Sequence, residues 1–478
     1  MRYLVGIDNG SQSSKVTIFD DQGQVVSRAA VPLQPLQAPA PGLAEHPGDD
    51  LWESIGEACR RAMVEFPGEP EEIIGVGLCT IRFCRALLRQ DGTLAHPVLS
   101  WMDPRVSRAH DPQDYTDDDA ADPAWITTSS GYIGQRVTGR FRDTAANCQG
   151  LWPMDTAAWN WSKDPTDFAA AGMSQDQLFE LVQPGEVLGE LTEAAARHTG
   201  LPHGLPVVAT ANDKAVEALG CGLRSRGDLL VSLGTYITAM TLEDEPAEAP
   251  AGEFWRNCAS EPGRHLCESA GIRRGMWTVS WFRDLVGEAL VETLNAEAEQ
   301  VPAGSDGLMA VLDWLAPEEA THRRGSLVGF DVRHGRGHIH RAILEAIAMT
   351  IERNSRVMEG ALLRSESGEV SAHRFTRVTV SGGGAQSDLM MQIVADVFGL
   401  PAARAAGGAD RGAAICAAVG TGVAAGFEEA AAAMVPEAEV WEPDPRQHAI
   451  YRRLSELHGR IADHTDQLYR ELAGLELD

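Results

Sequence analysis

Lysine is almost missing from this 478-residue sequence: it stands only at positions 15, 163 and 214, and arginine supplies the rest of the 40 basic residues. That scarcity makes each lysine position informative, because a compact ammonium and a planar guanidinium do not replace one another at tight sites. Basic residues as a class are also outnumbered, 40 against 69 acidic, for a net charge of −29. Such a surface repels polyanions, which excludes nucleic acid and acidic membrane leaflets as expected partners. A phosphorylated small ligand stays open, since a few local donors decide such a site. Long hydrophobic runs are absent too, and nothing approaches the roughly 20 apolar residues that span a bilayer. The opening "MRYLVGIDNGS" lacks a signal peptide's basic, apolar and cleavage regions in order. The eight cysteines form no CxxC and no Cys/His cluster at zinc spacing, as expected of reduced core thiols. A cytoplasmic protein is the expectation.

What is present is enough chain for two cores and a cleft between them. The first segment reads as a β-meander, "YLVGID", "KVTIFD" and "QVVSRAAV", with a loop of hydroxyls at its first corner. "PGDDLWESIGEACRRAMVEF" follows as a helix that aligns Trp52, Ile55, Cys59, Ala62 and Phe66, with Asp49 or Asp50 as N-cap. A strand "EIIGVGLC" and a hairpin turning at Asp91–Gly92 come next, and then an acidic, turn-rich loop "DPQDYTDDDAADP". From Asp228 the chain repeats its opening device, strand "DLLVSL", corner "GTY", strand "ITAMTL". After it come a long amphipathic helix within "RAILEAIAMTIERNSRVMEGAL", the strand "RVTVS", the loop "GGGAQSD" and the helices "LMMQIVADVFG" and "RGAAICAAVGTG". Asp444 to Leu472 reads as a surface helix.

Three corners suit an anion. "DNGSQSSK", Asp8 to Lys15, combines a glycine for close backbone approach, several hydroxyls and amides, and a closing lysine. It lacks GxxxxGK[ST] and joins two strands, so it is not a P-loop. "SLGTY" is a second such corner, with Gly234 and Thr235. In "SGGGAQSD" three glycines precede a helix that Ser387 or Asp388 could cap. One nucleotide held across an interdomain cleft accounts for all three better than three unrelated turns. The missing chemical group lies in "TANDKAVEALGCG". Asp213 is either an N-cap for the helix "KAVEALG", a role open to Asn212 as well, or the carboxylate that deprotonates an incoming hydroxyl.

Taken in order, "GIDNGSQSSK", "WMDPR", "GLPHGLPVVATANDKAVEALGCG", "SLGTY", "RAILEAIA", "SGGGAQSDLMMQIVADVFGLP" and "RGAAICAAVGTG" resemble the FGGY carbohydrate kinases over nearly the whole chain. The resemblance implies an α/β fold of two ribonuclease-H-like, actin-like ATPase domains closing on an interdomain nucleotide cleft. The expected domains are 1–226, with the sugar site, and 227–478, binding the nucleotide, hinged near Gly222 to Asp228. It implies ATP-dependent phosphorylation, with Mg²⁺, of a small sugar or polyol, and it is compatible with a homodimer. By position, Asp8 matches the acid that holds Mg²⁺ through water. Gly10, Ser11, Gln12, Ser13 and Ser14 match the first phosphate loop, beside which Lys15 supplies a basic residue. Gly234 and Thr235 match the second phosphate loop. Gly383, Gly384 and Ala385 match the adenosine loop, with Asp388 at its end, and Asp213 matches the catalytic base. Lys214 has no such motif behind it.

Substrate identity is expected in "CTIRFCRALL" and "WMDPR". Arg82 falls where glycerol kinases carry a substrate-contacting arginine, but the glutamate that should follow is Phe83, and xylulokinases read roughly Gln-Met-His at Ile81, Arg82 and Phe83. Trp101 and Asp103 match an apolar wall and a hydroxyl-binding acid, or else are a core tryptophan and a helix cap. Between Arg105 and Gly139 the usual longer helical segment is replaced by the acidic loop, followed by "GYIGQRVTGRFRDTAANCQG", which resembles a strand-and-turn element. In "RHGRGHIHR", His338 and His340 could share one strand face, but no acid or cysteine completes a metal site. The acceptor favoured by family frequency is a ketopentose or related polyol; Arg82 also suits an acid group. A catalytically weakened or non-catalytic sugar-binding regulator, or a nucleotide-gated binding module, on the same fold is the alternative.

Overall fold

A computed structural model of the chain describes residues 2–244, 252–317, 320–365 and 375–475. It contains two large mixed sheets built to the same plan. In the first, β1 (Tyr3–Asn9), β2 (Ser13–Asp20) and β3 (Val25–Pro32) form the expected meander, and β4 (Ile73–Thr80) lies parallel to β1 on its other side. With β5 (Val187–Glu190) and β6 (Pro206–Ala209) the order is β5-β6-β4-β1-β2-β3. In the second, β7 (Asp228–Leu233) pairs antiparallel with β8 (Ile237–Glu243). Outward from β8 lie β10 (His265–Ser269) and then β9 (Phe254–Cys258). On the other side β7 runs parallel to β11 (Arg377–Ser381), followed by β12 (Ala402–Arg404) and β13 (Val440–Trp441). The repeat read at Asp228 is therefore a repeat of sheet topology: a hairpin whose first strand carries a parallel neighbour.

Every residue of β1 is buried because helices cover both faces of the sheet. Tyr3, Val5 and Ile7 pack against Leu51, Trp52, Ile55, Ala58, Cys59 and Ala62 of α1 (Asp50–Glu65), which follows from a two-residue period meeting a helical one. Leu4, one step out of phase, packs with Ala414, Ile415 and Ala418 of α5 (Ala409–Gly420). That helix comes from the second half of the sequence and lies on the first sheet. It can approach so closely because Gly6 and Gly77 stand beneath it: a Cβ on either would meet the Asp410 or Ala413 carbonyl oxygen at 1.8 or 1.9 Å. Helix α2 (Asp213–Gly220) meets α5 in the same way, through Gly220 against Gly408 and Gly412 against Val216.

Several local expectations change. Asp49 occupies the N-cap position of α1 but makes no capping bond; its carboxylate accepts from Tyr132 Oη and Arg136 Nη1 instead, and Asp50 accepts from the Gln34 N–H at 2.9 Å. The turn at Asp91–Gly92 forms, with Gly92 at φ 83°, but the strand Ala86–Leu88 pairs along its length with Trp125–Thr127. "GYIGQRVT" is helical: Ser129–Thr138 forms a helix whose N-terminal amides of Ser130 and Gly131 donate to Thr128 Oγ1, and Gly139 ends it at φ 68°; the expected strand and turn follow only at Arg142–Thr144 and Ala145–Asn147. His338 and His340 lie in the first turns of α3 (Arg336–Ser365) and share no strand face; they pair with Asp306 and Asn295. Among the described residues no helix is long and apolar enough to cross a membrane.

Candidate active site

The three anion-friendly corners meet. The turn between β1 and β2 closes through the Gly10 N–H donating to the Ser13 carbonyl at 3.1 Å, and it leaves Ser11 and Gln12 exposed and Ser13 half-buried. Gln12 Nε2 lies 3.5 Å from Thr235 Oγ1, at the exposed corner between β7 and β8, so the first two loops face each other from the two sheets. The third loop is pressed onto the second: a Cβ on Gly382 would meet the Leu233 carbonyl oxygen at 2.6 Å and the Gly234 nitrogen at 3.1 Å. Gly383 is exposed there, while Gly384 and Ala385 are buried. Ser387, not Asp388, caps the following helix α4 (Asp388–Phe398), and Asp388 pairs with Arg404. Ser14 departs from the expectation for its loop. Strand alternation turns its hydroxyl inward, where it bonds Asn9 Nδ2 and Ser54 Oγ, each at 2.7 Å, and it is fully buried. It holds α1 against the sheet and offers no hydroxyl to the cleft.

Asp8 and Lys15 are cross-strand partners, and the ammonium lies 3.3 Å from Asp8 Oδ2. Burial pushes the Asp8 carboxyl up to about 6, with Asp410 and Asp213 adding to it and Lys15 opposing. Asp410 is the second acid brought here, held by Thr17 Oγ1 at 2.7 Å. A desolvated, under-compensated carboxylate is a fit for a divalent cation. Among the described residues no three acidic, cysteine or histidine side chains form a closed cage. Asp8 with water and phosphate oxygens therefore suits Mg²⁺, which retains several waters. The raised value has a consequence for stability. The folded state holds the Asp8 proton more tightly than the unfolded chain, so the contribution of Asp8 to stability is fully present below the unfolded value of 3.8 and is lost as pH rises to about 6. The loss amounts to about 3 kcal/mol. Asp8→Asn should consequently raise the unfolding temperature at pH 8 in EDTA, leave it unchanged near pH 4, and abolish turnover; differential scanning calorimetry across that range reads the first two.

Asn212, not Asp213, caps α2, its Oδ1 accepting from the Ala215 N–H at 3.1 Å. Asp213 is the first helical residue; its Oδ1 accepts from the Lys214 N–H at 3.0 Å, while the N-cap role itself falls to Asn212. Burial raises its proton affinity, and Arg82 and Lys214 partly oppose this. Lys214 points elsewhere. Its ammonium donates to Glu217 Oε2 at 2.8 Å and Ser232 Oγ at 3.1 Å, and Glu217 Oε1 accepts from Ser232 and Ser381. Burial alone would lower Lys214 and raise Glu217, but each holds the other charged. The rare lysine is thus part of a strut tying α2 to β7 and β11 of the second sheet.

Arg82 extends from the segment after β4, and its Nε lies 3.7 Å from Asp213 Oδ1. Its guanidinium is gripped by Glu268 of β10, with Nη2 to Oε2 at 3.0 Å and Nη1 to Oε1. Asn257 of β9 donates to the same Oε1. Phe83 beside it adopts φ 62°, a left-handed conformation that is costly for a bulky side chain and that concentrates at functional sites. Its ring lies 5.1 Å from the Arg82 guanidinium carbon. Trp101 is exposed and free to form a wall. Asp103 is fully committed. Its oxygens accept from the Arg105 N–H and Nε, each at 2.9 Å, from Arg105 Nη2 at 2.8 Å and from the Ala44 N–H at 2.7 Å. Burial pushes its carboxyl up, but these donors outweigh it and hold the value below the usual carboxylate range. The helix-cap alternative describes Asp103 as placed.

The N-terminal domain model of the FGGY family of carbohydrate kinases matches residues 3–114 and 108–220, and the C-terminal domain model matches 229–421. The chain belongs to the FGGY family of carbohydrate kinases. It is 41% identical to a protein named "Uncharacterized sugar kinase YgcE" of Escherichia coli strain K12, over 98% of this chain and 95% of that one. Identity to the xylulose kinase of Bacillus subtilis strain 168 is 25%, over 98% of both. Among solved structures, a "xyloylose kinase" from Brucella ovis superposes with a TM-score of 0.83 at 22% identity, covering 98% of this chain and all of that one. The fold is accordingly the two-domain α/β fold of FGGY kinase structures. The structure of this carbohydrate kinase brings to the cleft four residues that local reading passed over: Glu268, Asn257, Glu217 and Asp410. One signal was present for Glu268. It is the single acid in "HLCES", a strand buried throughout, and charge in such a strand needs a partner.

Proposed function

We propose that this kinase transfers the γ-phosphoryl group of ATP to a hydroxyl of a ketopentose of the xylulose or ribulose type, or of a related polyol. The observation that carries the reading is Asp213: a carboxylate relieved of capping by Asn212, made more basic by burial, and placed beside Arg82 where the two sheets face each other. The acceptor hydroxyl gives its proton to Asp213 as its oxygen bonds to the γ-phosphorus. The bond from that phosphorus to the β–γ bridging oxygen breaks, and ADP leaves. Asp8 would hold Mg²⁺, which when bound would neutralise charge on the phosphates. Lys15, Ser11, Gln12, Ser13 and the Gly10 backbone line the first phosphate loop; Gly234 and Thr235 line the second; Gly383, Gly384 and Ala385 abut the adenosine. Arg82, Phe83 and Trp101 border the sugar, and Asp103 shapes that border through Arg105. Residues 1–226 and 227–478 act as the two closing bodies, hinged at Gly222 to Asp228, with α5 the part of the second that stays seated on the first sheet. Buried cysteines that form no disulfide suit a reducing cytoplasm.

Acceptor-dependent ADP release, measured across ketoses, polyols and sugar acids, tests the reading. Turnover well above basal ATPase with a ketopentose or polyol supports it, and a panel in which no acceptor exceeds basal hydrolysis overturns it.

A further inference from the structure

The charges nearest Asp213 are Arg82, Lys214, Glu268 and Glu217, with Asp8 beyond them. Both cations in this set are paired: Lys214 with Glu217, and Arg82 with Glu268 through two parallel hydrogen bonds. Arg273, in the segment after β10, acts on Tyr236 and donates to the Ala316 carbonyl at 3.3 Å, outside the set around Asp213. The immediate surroundings of Asp213 therefore carry two neutral pairs and its own unmatched charge. A carboxylate on the substrate would meet net negative charge and an arginine whose bidentate face is already occupied. Neutral hydroxyls meet no such penalty: the partly open Arg82 still directs Nε toward Asp213, where an oxygen can accept from it.

We propose that Glu268, reaching across from β10, sets the substrate class of this site: by neutralising and orienting Arg82 it makes the kinase accept uncharged polyhydroxy substrates and reject sugar acids. The inference rests on the kinase reading above and narrows it. Glu268 is itself only 4% exposed and Asn257 holds its other side, so it acts through Arg82 and is a positioning residue. Its origin in the second sheet also means that the sugar site is complete only when both halves contribute.

The test compares matched acceptors that differ only in a terminal CH₂OH or carboxylate, for wild type, Glu268→Gln and Glu268→Asp. Wild type should favour the neutral member by about 100-fold in kcat/KM, since misplaced like charges are strongly rejected. Glu268→Gln keeps the shape and the Asn257 bond but releases the charge of Arg82. It should shrink the preference at least tenfold, mainly through a lower KM for the acid, with a smaller change in kcat for the neutral member. Glu268→Asp, whose charge persists, should keep the preference even where turnover falls. Wild-type preference for the acid, or an unchanged ratio in Glu268→Gln folded to the wild-type unfolding temperature, overturns the proposal while leaving the kinase reading intact. Absence of acceptor-dependent ADP release from both series overturns the kinase reading itself. Should Glu268→Gln fail to fold, Glu268→Asp decides: a preference kept with the charge supports the proposal, and a preference lost in a folded Glu268→Asp overturns it.

Discussion

Asp213→Asn is expected to lower kcat by about 10³-fold, within the range that a positioned general base contributes. The substitution is isosteric and leaves local structure supported: Asn212 still caps α2, Arg82 remains bound to Glu268, and Lys214 remains bound to Glu217. Because burial makes the ionised Asp213 unfavourable, its loss costs the fold little, and the unfolding temperature should hold or rise slightly. KM for the acceptor should change much less than kcat, since the lost interaction matters as the proton moves. The pH profile supplies an independent check. A base must be ionised to act, and its raised proton affinity means that activity falls on acidification from a higher pH than an ordinary carboxylate would set. Asp213→Asn should flatten the part of that acid limb which belongs to Asp213. Full turnover in Asp213→Asn, with ADP release still dependent on acceptor, would remove the assigned base.

Gly77→Ala is expected to destabilise the protein by about 4 kcal/mol, lowering the unfolding temperature by roughly 10 °C. The added methyl carbon would sit 1.9 Å from the Ala413 carbonyl oxygen and 2.5 Å from its carbon, and both belong to helix backbone that cannot rotate away. The only relief is to lift α5 from the sheet, which opens the packing of Leu4 and Phe19 against Ala414 and Ala417. Gly6→Ala should act in the same way, against the Asp410 carbonyl at 1.8 Å. Activity should fall further than stability alone explains, because α5 also carries Asp410 toward Asp8. Gly335→Ala, where nothing lies within 4 Å, is the control and should leave the unfolding temperature unchanged. Thermal unfolding of the three variants side by side decides whether backbone contact, and not glycine flexibility, is what these positions provide.

How much of this was legible beforehand differs by element. The meander, its repeat at Asp228 and the apolar face of α1 were readable because burial imposes a period of two or of 3.6 on neighbouring positions. The segment from Ser129 misled because its family likeness named a strand and turn, whereas Thr128 offers an N-cap and Gly139 a stop. Ser14 misled for another reason: a hydroxyl in a loop-like motif looks available, but alternation along β2 points it at Ser54. The odd pair Asp213 and Lys214 separated in the structure because successive residues at a helix start diverge in direction, one toward Arg82 and the other toward Ser232.

From the sequence by itself came the two-part α/β plan, the three glycine corners and Asp213 as a candidate base, because each depends on residue types a few positions apart; Asp8 came from the family resemblance. Tertiary structure alone decided which acid restrains Arg82 and which hydroxyl of β11 holds Glu217. Arg82 and Glu268 are 186 positions apart, and Glu217 and Ser381 are 164 apart. No local period connects such residues. They meet only after two sheets, each satisfying its own pattern, have closed on one another and placed buried charges where the nearest available partner belongs to the other half.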